Sequence, residues 1–128
     1  MKLVKTFLLA LLTLLTAQVA QAQTTPKAKA KAAGTEQVQL KTSAVCDMCK
    51  TRLEKAMAYE KGVQAAVLDV PTQVLTVTYR PDKTNPEALR TAVQQTGYDA
   101  DAQPADARAY SRLPECCKKT NAVHTGGN

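Results

Sequence analysis

Between residues 36 and 101 the apolar positions switch repeatedly between a strand rhythm and a helix rhythm, which leaves few folds open. Val38, Leu40 and Thr42 alternate with Gln39 and Lys41, the pattern of a half-buried strand. From Cys49 the apolar set becomes Cys49, Leu53, Ala56 and Met57, which lie on one side of a helix, and Gly62 stops it. Ala66, Leu68 and Val70 alternate again. The stretch "PTQ", residues 71–73, turns the chain, and Leu75, Val77 and Tyr79 return as a third strand, so the two form a hairpin. Asn85 is suited to cap a second helix, with Pro86 at its first position and Glu87 in its first turn. Leu89, Ala92 and Val93 form its buried stripe, and Gly97 fits a left-handed C-terminal cap. A short last strand is expected from Tyr98, in "YDADA".

The order is β-α-β-β-α-β over 66 residues, numbers 36–101. This predicts an α+β, ferredoxin-like sandwich: a four-stranded antiparallel sheet with two helices on one face. The expected core is Val38, Leu40, Leu53, Met57, Ala66, Leu68, Leu75, Val77, Leu89 and Val93. So small a core makes a marginally stable domain unless a ligand or the flanking segments add to it.

Four segments are expected: a signal peptide at 1–22, a Lys/Ala-rich linker at 23–35, the folded domain at 36–103 and a cysteine-containing tail at 104–128. Lys2 and Lys5 precede an apolar run from Phe7 to Leu15, and Ala20-Gln21-Ala22 fits a small-x-small cleavage site. The run is short of the ~20 residues that span a bilayer. Export to a bacterial periplasm is the expectation, a compartment that permits disulfides. The formal charge of +6 sits in the flanks, because residues 36–103 hold eight basic and nine acidic side chains. There is no tryptophan and only one phenylalanine. A nucleic-acid binder is therefore excluded, since it needs cations and stacking aromatics on the folded face. No nucleophile–base pair is present and the domain has no histidine, so no catalytic constellation and no enzyme are expected. A monomer is expected.

The chemistry lies in "TSAVCDMCKTRLEKAM", residues 42–57. Cys46 falls in the loop after the first strand and Cys49 in the first turn of the first helix. A helix N-terminus favours a thiolate there. Lys50 and Arg52 add nearby positive charge, partly opposed by Asp47. Two thiolates converging from a partly exposed loop suit a soft ion such as Cu(I) or Hg(II), while zinc prefers four ligands. An open loop would let an incoming thiolate attack, which suits transfer between proteins. A structural disulfide and a thiol-disulfide redox pair are the alternatives. Met57 belongs to the apolar stripe, and Met48 is exposed beside the thiols.

At "AVCDMCKTRLEKAM", the hairpin and "NPEALRTAVQQTGYDA" the sequence resembles the heavy-metal-associated domain, the module of copper chaperones, copper-pumping ATPases and periplasmic mercury-binding proteins. The resemblance implies metal ligation by Cys46 and Cys49 and leaves the identity of the metal open, its layout being that of the periplasmic mercury-binding proteins; Cu(I) is the first expectation, ahead of Hg(II) and Zn(II). It implies that Tyr98, of the Gly-Tyr pair, lies beside the metal loop. It also implies partners that are metal-transporting membrane proteins or other metal-binding domains. The family has Gly-Met-x-Cys where this chain has Ser43-Ala44-Val45-Cys46, with Val45 expected to replace the core-plugging methionine.

The tail adds Cys116, Cys117 and the only histidine, His124. One or two helical turns are expected over 105–112, ended by Pro114, with Tyr110 and Leu113 able to pack back. Two readings stay open: a tail whose thiols do nothing at the site, or one whose Cys116 and Cys117 fold over the C-x-x-C loop as extra metal ligands. His124 is expected to be a surface side chain.

Overall fold

The structure, a computed structural model, describes residues 34–125. The expected signal peptide and most of the linker lie outside the described residues. No helix among the described residues is long and apolar enough to cross a membrane.

Strands β1 (Glu36–Lys41), β2 (Val63–Asp69) and β3 (Val74–Tyr79) form an antiparallel sheet in the order β1-β3-β2. The register pairs Leu40 with Leu75 and Leu68 with Leu75 across the two ladders. Leu40, Leu68 and Leu75, with Val77 and Tyr79, thereby share the covered face. The hairpin closes at Gln73, whose φ of 59° lies in the left-handed region. Its backbone N–H donates to the Val70 carbonyl at 3.1 Å, and the Asp69 carboxylate accepts from the Thr72 amide at 3.0 Å.

Helix α1 (Asp47–Ala58) and helix α2 (Pro86–Thr96) pack against each other, with α1 also on β2. Each buries its expected stripe: Cys49, Leu53 and Met57 from α1, and Leu89, Ala92 and Val93 from α2. Asn85 caps α2, its side-chain oxygen accepting from the Ala88 amide at 2.9 Å. Gly97 ends the helix with φ 107°, where a side chain would be strained. A Cβ there would also stand 3.0 Å from the Ala109 carbonyl oxygen and 3.1 Å from Leu113. Of the expected core, Val38 and Ala66 are only partly buried; the rest is buried. This α+β arrangement is the ferredoxin-like one expected.

The expected fourth strand is reduced to a single bridge between Ala100 and Thr42. Asp101 takes a left-handed φ of 53° and turns the chain away. The Asp101 amide donates to the Lys41 carbonyl at 2.8 Å, but the Lys41 amide is met by the Asp101 carboxylate at 2.9 Å. A side chain thus takes the place of the next ladder bond. The Ala100 amide turns back to the Gln103 carbonyl at 2.9 Å, closing the segment into a turn.

The tail is structured over most of its length. Helix α3 (Ala107–Ser111) is capped by Asp106, and a 3-10 turn runs over Glu115–Cys117. Leu113 is buried, and Tyr110 packs partly against the core. Lys118 and Lys119 sit over the Tyr110 ring, at 4.7 and 5.5 Å from its centroid. Lys119 also pairs with Asp99 at 3.1 Å.

Candidate metal centre

The loop between β1 and α1 is held in shape from three sides. The Gln73 side-chain amide donates to the Ala44 carbonyl at 2.8 Å, and the Ser43 hydroxyl accepts from the Asp99 amide at 2.9 Å. From the tail, the His124 amide donates to the Val45 carbonyl at 2.8 Å. Nothing in the sequence marks Ser43 or Gln73 for this work, because each is a single polar residue whose partner is distant in the chain. Ala44 and Val45 are both buried, so the two together fill the space expected of Val45 alone.

This loop delivers Cys46 as the N-cap of α1, with its sulfur accepting from the Cys49 amide at 3.4 Å. One turn later the Cys49 sulfur lies 3.0 Å from that of Cys46. Cys46 is 2% and Cys49 0% exposed, so the expectation of a partly exposed pair is corrected. The tail is the reason. Cys117, fully buried, brings its sulfur to 3.7 Å from Cys46. Cys116 follows at 3.9 Å from Cys117 and 3.8 Å from the Met48 sulfur, while remaining exposed. The sulfurs of Cys46, Cys116 and Cys117 all lie within 4.8 Å of one another. All four cysteines are free thiols. Of the two readings of the tail, the geometry is that of a tail folded over the loop.

Tyr98 is fully buried, and its hydroxyl has no hydrogen-bond partner. Burial raises its pKa far above the ordinary value, and the neighbouring Cys49 and Cys117 sulfurs raise it further. Among the thiols, burial pushes Cys46 up, as does the hydrogen bond to Cys49. Burial acts the same way on Cys49 but is outweighed by the hydrogen bond from Cys46 and by the Val45 backbone, which bring it below the ordinary thiol value. Burial and then Cys49 hold Cys117 well above it. Of these three buried thiols, Cys49 in the first turn of α1 is the one shifted below the ordinary thiol value.

Lys50 does not supply the expected positive charge at the thiols. Its ammonium is engaged by Glu54 at 2.5 Å and by the Leu68 carbonyl at 2.8 Å, tying α1 to β2. Met57 is a core residue, as expected. Met48 is half exposed in the first turn of α1 rather than in the loop. The His124 ring is exposed, with Nδ1 2.9 Å from the Ala122 carbonyl.

Residues 41–99 match the family model of the heavy-metal-associated domain, so this part of the chain is a domain of that class. Among curated relatives, the chain is 35% identical over 90 residues to a copper-exporting P-type ATPase of Staphylococcus epidermidis, a match covering 69% of this chain. It spans only 11% of that relative's length. Among solved structures, oxidised MerP from Ralstonia metallidurans CH34 is 26% identical, with a TM-score of 0.51 over 53% of this chain and 96% of that one. The Cu(I)-loaded N-terminal domain of a potential copper-translocating P-type ATPase from Bacillus subtilis is 28% identical, with a TM-score of 0.50 over 53% of this chain and 86% of that one.

Proposed function

We propose that this protein binds a soft metal ion through the thiolates of Cys46 and Cys49, and carries or scavenges it. Cu(I) is its foremost cargo, ahead of Hg(II) and Zn(II). The observation that carries this reading is the convergence of two sulfurs at 3.0 Å on a helix N-terminus. Soft, polarisable thiolates select soft ions. Each thiol that becomes a ligand releases its proton to solvent. The preference for copper is supported by the relatives, since the curated one is a copper exporter and one structural neighbour holds Cu(I).

Hand-over proceeds by ligand exchange. A thiolate of the receiving protein attacks the bound ion as one of the two cysteines leaves. The receiver is a metal-transporting membrane protein or another metal-binding domain. The protein acts in the periplasm, a setting supported by the signal-like residues 1–22. There, metal and disulfide formation compete for the same sulfurs, because only thiolates bind metal. Its role is binding, not catalysis.

The test is Cu(I) competition against a calibrated chelator, comparing wild type with Cys46→Ser/Cys49→Ser. Affinity is expected to fall by at least about a hundredfold once the thiolate pair is gone. The near-ultraviolet spectrum and melting curve of the variant check its fold. Undiminished affinity in a folded variant refutes the reading. Failure of wild type to bind Cu(I), with a reversible Cys46–Cys49 disulfide at a thioredoxin-like potential, favours the thiol-disulfide alternative.

A further inference from the structure

We infer that the tail is part of the metal site: Cys117 and Cys116 join Cys46 and Cys49 in a closed, sulfur-rich centre for a thiophilic cation of three- or four-fold coordination. This inference rests on the reading of Cys46 and Cys49 as the metal pair and extends it to a segment beyond the matched domain, which ends at residue 99.

A buried cysteine by itself is an ordinary small core residue. Three observations set Cys117 apart. The first is spacing. Around a cation at ~2.3 Å, thiolates stand about 3.8 Å apart in a tetrahedron, about 4.0 Å in a plane of three and about 4.6 Å across a line of two. Cys117 lies 3.7 Å from Cys46 and 3.9 Å from Cys116, the separations of the first two geometries. The Cys46–Cys49 pair, at 3.0 Å, has to open by under about 1 Å to admit an ion, and Cys49, which is not among the three sulfurs within 4.8 Å of one another, has to move toward the tail sulfurs.

The second observation is the Tyr98 hydroxyl. It is fully buried beside the Cys49 and Cys117 sulfurs, near enough to interact with both but without a well-formed hydrogen bond to either. A neutral thiol is a weak acceptor, but a metal-bound thiolate is a strong one, and Tyr98 is positioned to donate to it. The orphaned donor is explained if the sulfur cluster carries negative charge around a cation.

The third is the way the tail is anchored. Leu113 wedges against Gly97, Lys118 donates to the Tyr110 carbonyl at 2.8 Å, Lys119 pairs with Asp99, and His124 reaches the Val45 carbonyl. These attachments lie on both sides of Cys116-Cys117 and hold the pair over the loop. A tail of no consequence to the site needs no attachment to the metal loop itself. The consequence for function is retention. A thiolate from another protein reaches a two-sulfur open site directly, but here the 115–124 segment must first lift away.

The probe is Cd(II), which prefers thiolates and reports their number through ligand-to-metal charge-transfer absorption. Reduced full-length protein is loaded with one equivalent and compared with Cys116→Ser, Cys116→Ser/Cys117→Ser and Cys46→Ser/Cys49→Ser. Expected is a wild-type intensity that drops by about a quarter in Cys116→Ser and about half in the tail double variant, following the thiolates removed from four. Release of Cu(I) to a chelator should quicken at least about tenfold in the tail double variant, as two ligands are lost. Cys116 is exposed, so its single variant leaves packing intact. Equal intensity and equal release rate in wild type and both tail variants overturn the inference while leaving the two-thiol reading standing. No Cd(II) binding by wild type overturns the inference and leaves the two-thiol reading to the Cu(I) competition, whereas unchanged Cd(II) intensity and unchanged Cu(I) release in Cys46→Ser/Cys49→Ser overturn both.

Discussion

At the scale of the residue, Tyr98 is the most informative side chain outside the cysteines. A buried hydroxyl without a partner costs about 1–3 kcal/mol relative to one that is bonded or removed. Tyr98→Phe should therefore leave the metal-free fold as stable as wild type or more so, by up to about 1 kcal/mol in urea unfolding. The same variant should bind Cu(I) less tightly, by about three- to tenfold, because a sulfur loses the donor facing it. A fall in metal-free stability beyond about 2 kcal/mol would show instead that the hydroxyl anchors the fold. That Tyr98 stands beside the loop was implied by resemblance. Its lack of a partner was not legible, because the groups around it come from Cys49 and from Cys117 in the tail. Lys50 teaches the same lesson: its place one residue after Cys49 suggests a charge on the thiols, yet the ammonium points to Glu54 and Leu68.

At the scale of the element, the strands and helices that bury a periodic face were legible, including both cap residues of α2. Asn85 and Gly97 could be read because each is a residue type with a specific backbone use. The fourth strand could not, because "YDADA" has no β-branched residue and its pairing depends on one carboxylate. Asp101 joins this segment to β1 through Lys41 and to α2 through Arg90, at 2.7 Å. The Arg90 guanidinium holds the Asp101 carboxyl below its ordinary value against the opposing effect of burial, and the Lys41 amide adds to the lowering. An unfolded chain then binds the proton more readily than the folded one, so this contribution is present above about pH 4 and is lost as pH falls through the folded value. Asp101→Asn should lower the urea midpoint near neutral pH, and the gap to wild type should close as pH drops below about 4. A gap of the same size at both ends of that range would mean that the charge on Asp101 is irrelevant. Asparagine tolerates the left-handed φ, so backbone strain does not confuse the comparison.

At the scale of the whole molecule, the tail folds over the domain's loop and brings the Cys117 sulfur to 3.7 Å from that of Cys46. The domain's part of the site is local: the strand-to-helix junction that holds Cys46 and Cys49 lies within a dozen residues, and sequence spacing was enough to find it. The tail's part spans 71 residues from Cys46 to Cys117, and only length and chemistry hinted at it. Two adjacent cysteines carry no periodicity, and their burial depends on Leu113, Tyr110 and the two lysines docking first. For the same reason the exposure of the metal loop was misjudged, since nothing local to the loop covers it. Whether Cys46 and Cys49 hold the ion is tested by X-ray absorption at the copper edge of full-length protein carrying one equivalent of Cu(I). The predicted result is a first shell of sulfur alone, which loses sulfur or is lost altogether in Cys46→Ser/Cys49→Ser. A shell dominated by nitrogen or oxygen, or a sulfur shell unchanged in that variant, would contradict it.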